Sequence, residues 1–239
     1  MELRETTIVL TGASRGLGEA MAKALGAAGA RLGLVARDGE RLRAVTEAVR
    51  EAGGEAYAIA ADVADPDSAA RVAGMAAAVL GRVDVLVHNA SSLGPVPLVP
   101  LADTDDAAFL AALSANLLGP FRLTRAIVGS MVLQGSGLVV QVTSDAATTP
   151  YPRWGAYGVS KAALEHLGRI WAAELEGSGV RFLNVDPGEM DTRMHRDAMP
   201  EADVATLARP EVVAVRFVEL LRGELPASGS RIELAEVIR

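Results

Sequence analysis

A tyrosine and a lysine four residues apart indicate proton-transfer chemistry. In the segment AYGVSKAAL, Tyr157 and Lys161 occupy positions i and i+4 of a predicted helix, so their side chains share one helix face. A phenol has a pKa of about 10 and exchanges protons poorly at neutral pH, but a nearby cation stabilises the phenolate and lowers that pKa. The pair therefore predicts a tyrosine that acts as general acid or base beside a charged partner.

The residue usage of the chain supports a specific need for lysine at position 161. The sequence contains 21 arginines but only two lysines, Lys23 and Lys161. An ammonium group can direct its rotatable donors to a ribose hydroxyl and a phenolate together, whereas a planar guanidinium cannot satisfy both in the same geometry. We interpret Lys161 as chemically required, although a Tyr–Lys pair at this spacing is also common on protein surfaces.

The elements that position these residues follow from alternating aliphatic and amphipathic stretches. The predicted strands span 6–12, 30–37, 55–62, 83–90, 137–144, 180–187 and 230–237. The predicted helices span 17–29, 39–54, 65–81 (with Asp65 as N-cap), about 103–134, 155–176 and 210–222. Apolar strands separated by helices predict an α/β fold with a parallel sheet covered on both faces. We expect one Rossmann-type doubly wound domain of about seven strands over residues 1–239.

Composition and charge exclude several classes of function. The net charge is −7 and no basic stripe is present, so we expect no nucleic-acid partner. The absence of cysteine excludes disulfides and thiol catalysis, and it fits a cytoplasmic location. We find no signal peptide, no apolar run of about 18 residues that would cross a membrane, and no metal site.

A glycine-rich turn follows the first predicted strand. The segment TGASRGLG has the spacing G-x-x-x-G-x-G and leads into a helix. Glycines at such a turn let the backbone approach a pyrophosphate, and the helix N-terminus offers free N–H groups and a favourable dipole. Its position at the start of a βα series favours dinucleotide binding over a plain tight turn. The candidate cofactor residues here are Gly12, Ser14, Arg15, Gly16, Leu17 and Gly18.

The end of the second strand indicates which dinucleotide binds. NAD-binding folds place an acidic residue there, about 20 residues after the glycines, to hold the ribose 2′-hydroxyl. This sequence has Ala36 followed by Arg37, and Arg15 lies in the glycine turn. Two guanidiniums suit a 2′-phosphate, which favours NADP(H), with NAD(H) as the alternative. Asp62 and Val63 end the third strand, where Asp62 either hydrogen-bonds the adenine or forms a turn.

Further motifs fall in order along the chain. Ser144 lies thirteen residues before Tyr157, Asn116 lies in SANLLGP, and HNA and PGEMDT follow the fourth and sixth strands. Together with TGASRGLG and YGVSK, these segments resemble the short-chain dehydrogenase/reductase family. The resemblance extends from about Thr6 to Leu234.

The resemblance implies a role for each matching position. Tyr157 would be the general acid when a carbonyl is reduced, and the base in the reverse reaction. Lys161 would lower the Tyr157 pKa and hold the nicotinamide ribose, while Ser144 would bind the substrate oxygen. Asn116 would bind a water that extends the proton path. The remaining cofactor contacts implied are Asn89, Ala90, Pro187, Gly188, Met190 and Thr192.

The sequence departs from the family pattern at two places. The family's NNAG reads HNAS here, so His88 and Ser91 replace Asn and Gly. We interpret His88 as structural and expect Ser91 to alter the loop shape. The chain also stops at IELAEVIR without the glycine-rich segment of many relatives, so a homodimer through the long helices becomes an alternative to a homotetramer.

Loops at the carboxyl ends of the strands would bind the substrate. They span 92–96, 145–154 and 189–207, and we predict a mobile lid at about 189–208. The polar candidates are Glu189, Arg193 and His195, while Trp154, Met190 and Met194 favour a medium-sized, partly apolar carbonyl or alcohol. The overall prediction is an NADP(H)-dependent oxidoreductase; the alternatives are an NAD(H)-dependent dehydrogenase and a non-catalytic dinucleotide-sensing protein.

Overall fold

The computed structural model describes residues 1–234, whose seven strands form one sheet in the order β3-β2-β1-β4-β5-β6-β7. Every neighbouring pair is parallel. The strands are β1 (Thr7–Thr11), β2 (Arg31–Ala36), β3 (Glu55–Ala60), β4 (Val85–His88), β5 (Gly137–Val142), β6 (Val180–Asp186) and β7 (Arg231–Glu233). The helices are α1 (Gly16–Ala27), α2 (Gly39–Glu51), α3 (Ser68–Leu80), α4 (Asp106–Leu113), α5 (Gly119–Gln134), α6 (Gly155–Glu174), α7 (Arg193–Ala198) and α8 (Pro210–Arg222). The predicted α/β fold is confirmed.

Helices cover both faces of the sheet because its central strands are apolar on both sides. All residues of β1 and β4 are buried. One core packs α1, α2 and α8 against one face, and the other packs α3 and α5 against the opposite face. Burying both faces requires nearly continuous aliphatic strands, which is the pattern that the sequence shows.

The strand order reverses between β1 and β4. From β1 the chain builds outward to β2 and β3, and then returns to place β4 on the other side of β1. In open α/β sheets, ligands bind at the carboxyl ends of strands beside such a reversal. The topology therefore locates the candidate site between the ends of β1 and β4.

Several predicted boundaries are wrong by up to three residues, and the second helix, for example, ends at Glu51 rather than at residue 54. The third helix begins at Ser68 rather than at residue 65, because the Asp65 carboxylate accepts a hydrogen bond from the Asp67 N–H at 3.0 Å and so stabilises a turn. The last strand ends at Glu233, and its predicted residues 235–237 lie outside the described part of the chain.

The long predicted helix is one helical stretch from Asp106 to Gln134, interrupted by a π-helical turn at Ser114–Leu118. Pro120 follows this turn and has no N–H to donate to the preceding turn, which favours a local change of hydrogen-bonding pattern. Within residues 1–234 this stretch alone is long and apolar enough to cross a membrane, by length and composition. Its residues Leu123, Ile127 and Met131 belong to the core against the sheet, so one face of this helix is buried within the fold.

Candidate active site

The glycine turn brings the backbone of α1 against the ends of β1 and β4. Gly12 has a φ of +70°, and a Cβ atom there would lie 2.7 Å from Ala90 Cα. A Cβ atom on Gly18 would lie 2.1 Å from the Gly12 carbonyl oxygen, so only glycine fits. The N-cap residue Arg15 makes no side-chain capping bond. The first N–H groups of α1 therefore remain available to an anionic ligand.

Asn89 holds this turn in place. Its Nδ2 atom donates to the carbonyl oxygens of Thr11 at 3.0 Å and Gly12 at 3.2 Å. The Thr11 hydroxyl oxygen accepts from the backbone N–H groups of Asn89 and Ala90 at 3.0 and 3.1 Å. These bonds join the end of β1 to the end of β4, so Asn89 shapes the floor of the site through the backbone.

A cavity of about 610 Å³ opens above these strand ends. All predicted cofactor residues line it, and so do Ser144, Tyr157 and Lys161. Among residues 1–234, no group of three or more metal-ligating side chains is placed to hold an ion. The predicted cofactor residues in its lining are Gly12, Ser14, Arg15, Gly16, Leu17, Gly18, Arg37, Asp62, Val63, Asn89, Ala90, Tyr157, Lys161, Pro187, Gly188, Met190 and Thr192. Their individual roles toward a cofactor stay predictions.

Ser144 lies just after β5, at the start of a short 3₁₀ turn, Asp145–Ala147. Its hydroxyl donates to Asp145 Oδ1 at 2.8 Å and accepts from the Ala146 N–H at 3.2 Å. The other oxygen of Asp145 accepts from the Tyr151 hydroxyl at 2.7 Å. Asp145, which the sequence motifs did not single out, thus fixes the orientation of the serine hydroxyl.

Tyr157 and Lys161 lie on the buried face of α6, as their spacing predicts. Lys161 is 2% exposed, and its Nζ atom donates to the Val142 carbonyl at 2.7 Å. The same Nζ atom lies 5.7 Å from the centroid of the Tyr157 ring. Trp154 packs edge-on against that ring with centroids 5.6 Å apart, and this contact orients the phenol.

The direction of the Tyr157 pKa shift is opposite to the expectation. Burial raises the pKa of Tyr157 to about 12, and the negative charges of Asp186 and Asp145 add to this, while hydrogen bonds with Ser144 and Ser91 oppose it. Burial also lowers the pKa of Lys161 to about 8. Lys161 does not lower the pKa of Tyr157 enough to offset burial, because its ammonium binds a backbone carbonyl and lies over the ring rather than at the hydroxyl.

Asn116 lies behind the cavity wall, in the π-helical turn, and is fully buried. Its Nδ2 atom donates to the Ser92 carbonyl and the Ser160 hydroxyl, both at 2.8 Å. Its Oδ1 atom accepts from the Ser92 N–H at 2.8 Å and from the Ser91 hydroxyl at 3.3 Å. The amide thus fixes the loop after β4 to α6, and its predicted role in a water-mediated proton path stays a prediction.

The corner after β2 gathers two arginines and two aspartates. The Arg15 and Arg37 guanidiniums each lie 3.8 Å from a carboxylate, Asp38 and Asp62 respectively, and the Arg37 side chain is 73% exposed. Asp38 caps α2 by accepting from the Arg41 N–H at 3.1 Å. Asp62 accepts from the Ala64 N–H at 2.9 Å, which is the turn-forming alternative considered for it. Both arginines thus make only long ion pairs, whereas both carboxylates accept hydrogen bonds from backbone N–H groups.

The predicted lid contains α7, and its two ends meet. Met190 and Ala208 form an isolated parallel bridge, and the Asp191 N–H donates to the Ala208 carbonyl at 2.9 Å. The Thr192 hydroxyl accepts from the His195 N–H at 3.2 Å and so caps α7. The segment is therefore a closed loop over the cavity, and its mobility stays a prediction.

The outer end of the cavity is apolar, with a few polar groups. Leu93, Ala146 and Tyr157 form a small buried cluster onto which Leu98, Trp154, Met194 and Ala198 pack. The three predicted polar candidates, Glu189, Arg193 and His195, line the cavity. His195 Nε2 lies 3.7 Å from Glu189 Oε1, and Arg193 pairs with Asp197 at 3.5 Å on the helix surface.

His88 is structural in its contacts. It is 2% exposed, and its Nε2 atom lies 2.8 Å from the Thr124 hydroxyl. Burial, together with the charge of Lys161, lowers its pKa to about 3, so the ring is neutral at physiological pH. Ser91, the other departure from the family pattern, places its hydroxyl beside both Asn116 and Tyr157.

Sequence reasoning missed an ion network behind Ser144 and Lys161. Arg231 on β7 binds Glu165 Oε1 at 2.7 Å and Asp186 Oδ2 at 2.6 Å. A local signal existed for Glu165 alone, because it follows Lys161 by four residues on the same face of α6. No local pattern connects Arg231 to that face, since it lies 66 residues further along the chain.

The reversed parallel sheet, the uncapped glycine turn and the Ser–Tyr–Lys group at one cavity define a dinucleotide-binding oxidoreductase class. A family model described as short chain dehydrogenase matches residues 6–203. The chain belongs to this family, which confirms the resemblance.

Named relatives and solved structures agree with this assignment. A short chain dehydrogenase of Pseudocercospora fijiensis is 36% identical over 193 residues, which cover 81% of this chain and 62% of that relative. A metagenomic short-chain oxidoreductase in complex with NADP matches with a TM-score of 0.80 at 34% identity, covering 98% of this chain and 97% of the other. A 7α-hydroxysteroid dehydrogenase complexed with NADH and 7-oxo glycochenodeoxycholic acid matches with a TM-score of 0.85 at 26% identity, covering 97% and 94%.

Proposed function

We propose that this protein is an NADP(H)-dependent oxidoreductase that interconverts a carbonyl and a secondary alcohol on a small molecule. The observation that carries the proposal is the meeting of Ser144, Tyr157 and Lys161 at the cavity that the glycine turn enters. A non-catalytic dinucleotide sensor would need none of these three side chains. Their presence together favours an enzyme over that alternative.

The protonation state of Tyr157 favours a role as proton donor. With a pKa of about 12, the phenol is neutral at physiological pH. It would donate its proton to the substrate oxygen as that oxygen gains negative charge, and the Ser144 hydroxyl would bind the same oxygen. Lys161, with a pKa of about 8, is mostly an ammonium at neutral pH and would hold a ribose hydroxyl.

The residues at the cavity fit a nicotinamide dinucleotide. The uncapped N-terminus of α1 suits a pyrophosphate, and Gly12 and Gly18 let the turn pack tightly against the ends of β1 and β4 beneath it. The bound dinucleotide would supply or accept the hydride. NADP(H) is favoured over NAD(H) because Arg15 and Arg37 are loosely paired, while the nearby Asp38 carboxylate caps α2.

The substrate that fits best is a medium-sized, partly apolar ketone or secondary alcohol. Leu93, Trp154 and Met194 form an apolar wall beside Tyr157, and His195 adds a polar group. A structural relative bound to a steroid ketone is consistent with this class. A panel of ketones, aldehydes and alcohols of graded size, read by the absorbance of reduced nicotinamide, would identify it.

Removal of one hydroxyl tests the enzyme assignment. Tyr157→Phe should reduce carbonyl reduction at least ~100-fold, since the proton donor is lost, and should leave the Kd for NADPH nearly unchanged. Tyr57→Phe is the matched control, because the Tyr57 hydroxyl bonds only to Glu55 on β3, at 3.1 Å, away from the cavity. Retained turnover in Tyr157→Phe would assign the proton to another group.

A charge reversal tests the cofactor assignment. Arg37→Asp should weaken NADPH binding about 10- to 100-fold and leave NADH binding unchanged or improved, because only NADPH carries the 2′-phosphate. Arg71→Asp, an exposed residue of α3, is the control for the change in net charge. An equal effect of Arg37→Asp on both cofactors would show that the guanidinium does not meet the phosphate.

A homodimer through the long helices is also proposed. Leu110, Leu118 and Leu133 on the 106–134 stretch, with Val159 and Ile170 on α6, are exposed apolar side chains. Sedimentation equilibrium would distinguish a dimer from a monomer or a tetramer.

The cysteine-free composition supports a cytoplasmic location, which fractionation would test.

A further inference from the structure

A single guanidinium connects three elements behind the catalytic residues. Arg231 Nη1 binds Glu165 Oε1 on α6 at 2.7 Å, and Arg231 Nη2 binds Asp186 Oδ2 at the end of β6 at 2.6 Å. Nη1 also lies 3.5 Å from the carbonyl oxygen of Ser144, just after β5. The Arg231 side chain is only 16% exposed, and those of Glu165 and Asp186 are 3% and 7% exposed.

Each carboxylate also accepts a hydrogen bond from a residue beside the site. Asp186 Oδ1 accepts from the Gly188 N–H at 2.9 Å, within the turn that forms the cavity wall after β6. Glu165 Oε1 also accepts from the Thr143 hydroxyl at 2.8 Å, next to Ser144. The elements that carry Lys161, Ser144 and Gly188 are thus fixed relative to one another through Arg231.

The two buried carboxylates have three cationic neighbours: Lys161, Arg231 and the half-exposed Arg169, whose Nη2 atom lies 3.0 Å from Glu165 Oε2. The charged and titratable groups of this cluster come from four elements: Tyr157, Glu165 and Arg169 on α6, Asp186 on β6, His88 on β4 and Arg231 on β7. His88 is neutral and so is the Tyr157 phenol. Arg231 is the cation that binds both carboxylates, whereas Arg169 binds Glu165 from the helix surface.

We propose that Arg231 is a positioning residue that binds Glu165 and Asp186, prevents their carboxylates from pairing with the Lys161 ammonium, and so leaves that ammonium free to serve the cavity. The proposal rests on the proposed function in one respect, namely that the Lys161 ammonium serves catalysis. The effect of Arg231 on the pKa of Lys161 does not depend on that function. Without Arg231, Glu165 would keep its pair with Arg169, but Asp186 would lose its guanidinium partner and interact more strongly with the lysine, which would stabilise the charged form and draw the ammonium away from the cavity.

The two lysines of the chain make the test direct. Protein labelled only at lysine with ¹³C and ¹⁵N gives one side-chain signal set for Lys161 and one for Lys23, and a Lys23→Arg variant assigns them. Lys23 lies on the surface of α1 with its side chain 51% exposed and serves as internal reference. In Arg231→Gln we expect the pKa of Lys161 to rise by about one unit and that of Lys23 to stay constant. Arg231→Lys should restore most of the wild-type value.

Arg181→Gln is the matched control. Arg181 lies at the start of β6, at the opposite end from Asp186, and its guanidinium bonds only to the carbonyls of Leu225 and Pro226. An unchanged Lys161 pKa in Arg231→Gln, or an equal rise in Arg181→Gln, overturns the proposal. If Arg231→Gln does not fold, Glu165→Gln tests the same electrostatics: the Lys161 pKa should fall, and an unchanged value overturns it.

Turnover separates this proposal from the proposed function. For a substrate found in the panel, the alkaline limb of the pH profile in Arg231→Gln should move upward by the same amount as the Lys161 pKa, because activity is lost when the ammonium deprotonates, with a larger loss in kcat than in substrate affinity. A protein that turns over no substrate but shows the Lys161 shift contradicts the enzyme assignment and supports the role of Arg231. A protein with Tyr157-dependent turnover but no shift contradicts the role of Arg231 alone.

Discussion

Replacement of Lys161 by methionine should stabilise the protein at neutral pH while it removes the ammonium to which we assign a role in catalysis. Burial lowers the pKa of Lys161 from 10.5 to about 8, so the folded state binds this proton less tightly than the unfolded state does. A difference of about 2.5 pKa units corresponds to a penalty of about 3 kcal/mol for the buried charge at a pH below 8. Methionine has a similar shape and no charge, so it avoids this penalty but also leaves the Val142 carbonyl without its partner.

The sign of the pH dependence makes the prediction specific. Between pH 8 and 10.5 the unfolded state holds more protons than the folded state, so the contribution of Lys161 to stability rises with pH. The wild type should therefore gain about 2 to 3 kcal/mol of unfolding free energy relative to Lys161→Met between pH 7 and pH 10. The raised pKa of Tyr157 acts mainly above its ordinary value of 10, outside most of this window.

Urea denaturation at pH 7, 8.5 and 10 measures this difference through the midpoint and the m-value. Lys23→Met is the control, because Lys23 is exposed and pairs with Glu19 on the surface of α1. The reasoning is refuted if the difference between wild type and Lys161→Met does not change with pH. It is equally refuted if Lys23→Met shows the same pH dependence. In either case the ammonium would not be held in the low-dielectric position that its contacts describe.

The remaining predictions concern acid stability and packing. As the pH falls from 6.5 toward 3, the unfolded state protonates His88 before the folded state does, so the wild type should lose about 2 to 3 kcal/mol of unfolding free energy between pH 7 and 4.5. His88→Asn should remove this loss, as measured by thermal or urea unfolding. His166→Asn, at an exposed position, is the control and should leave the loss unchanged. Gly18→Ala should destabilise the protein by about 2 kcal/mol or more and weaken NADPH binding, since the new methyl would lie 2.1 Å from a backbone oxygen. Gly74→Ala, in the exposed middle of α3 with no atom within 4 Å, should stabilise it by about 0.5–1 kcal/mol, and a destabilising result would contradict the helix assignment.

Most of the fold could be predicted because its signals are local. Each buried strand is an aliphatic run of its own, and the glycine turn places its three glycines within eight residues of TGASRGLG. The error at Asp65 has the same origin: aspartate before a proline is typical both of an N-cap and of a turn, and only the bond to the Asp67 N–H distinguishes them.

The part that sequence could not provide is burial and distant pairing. The i, i+4 spacing correctly places Tyr157 and Lys161 on one face, but it carries no information on how deeply that face is buried, and burial decides the direction of the Tyr157 pKa. Arg231 is one of 21 arginines, and nothing near it in the sequence separates it from the exposed ones. Its role becomes visible only where β7 lies beside β6 and pairs Arg231 with Asn184, two residues before Asp186.

The charges behind the site impose a compromise that explains why an arginine is needed there. Asp186 stabilises the Lys161 ammonium, but the same charge raises the pKa of the Tyr157 phenol, so it favours one catalytic group at the expense of the ionised form of the other. Arg231 binds Asp186 directly and reduces both effects. A site that must keep its phenol protonated for carbonyl reduction tolerates this balance, whereas a site built for rapid alcohol oxidation at neutral pH would need the phenolate to be favoured. Burial of the phenol is the main cause of its raised pKa, so carbonyl reduction is the direction to assay first.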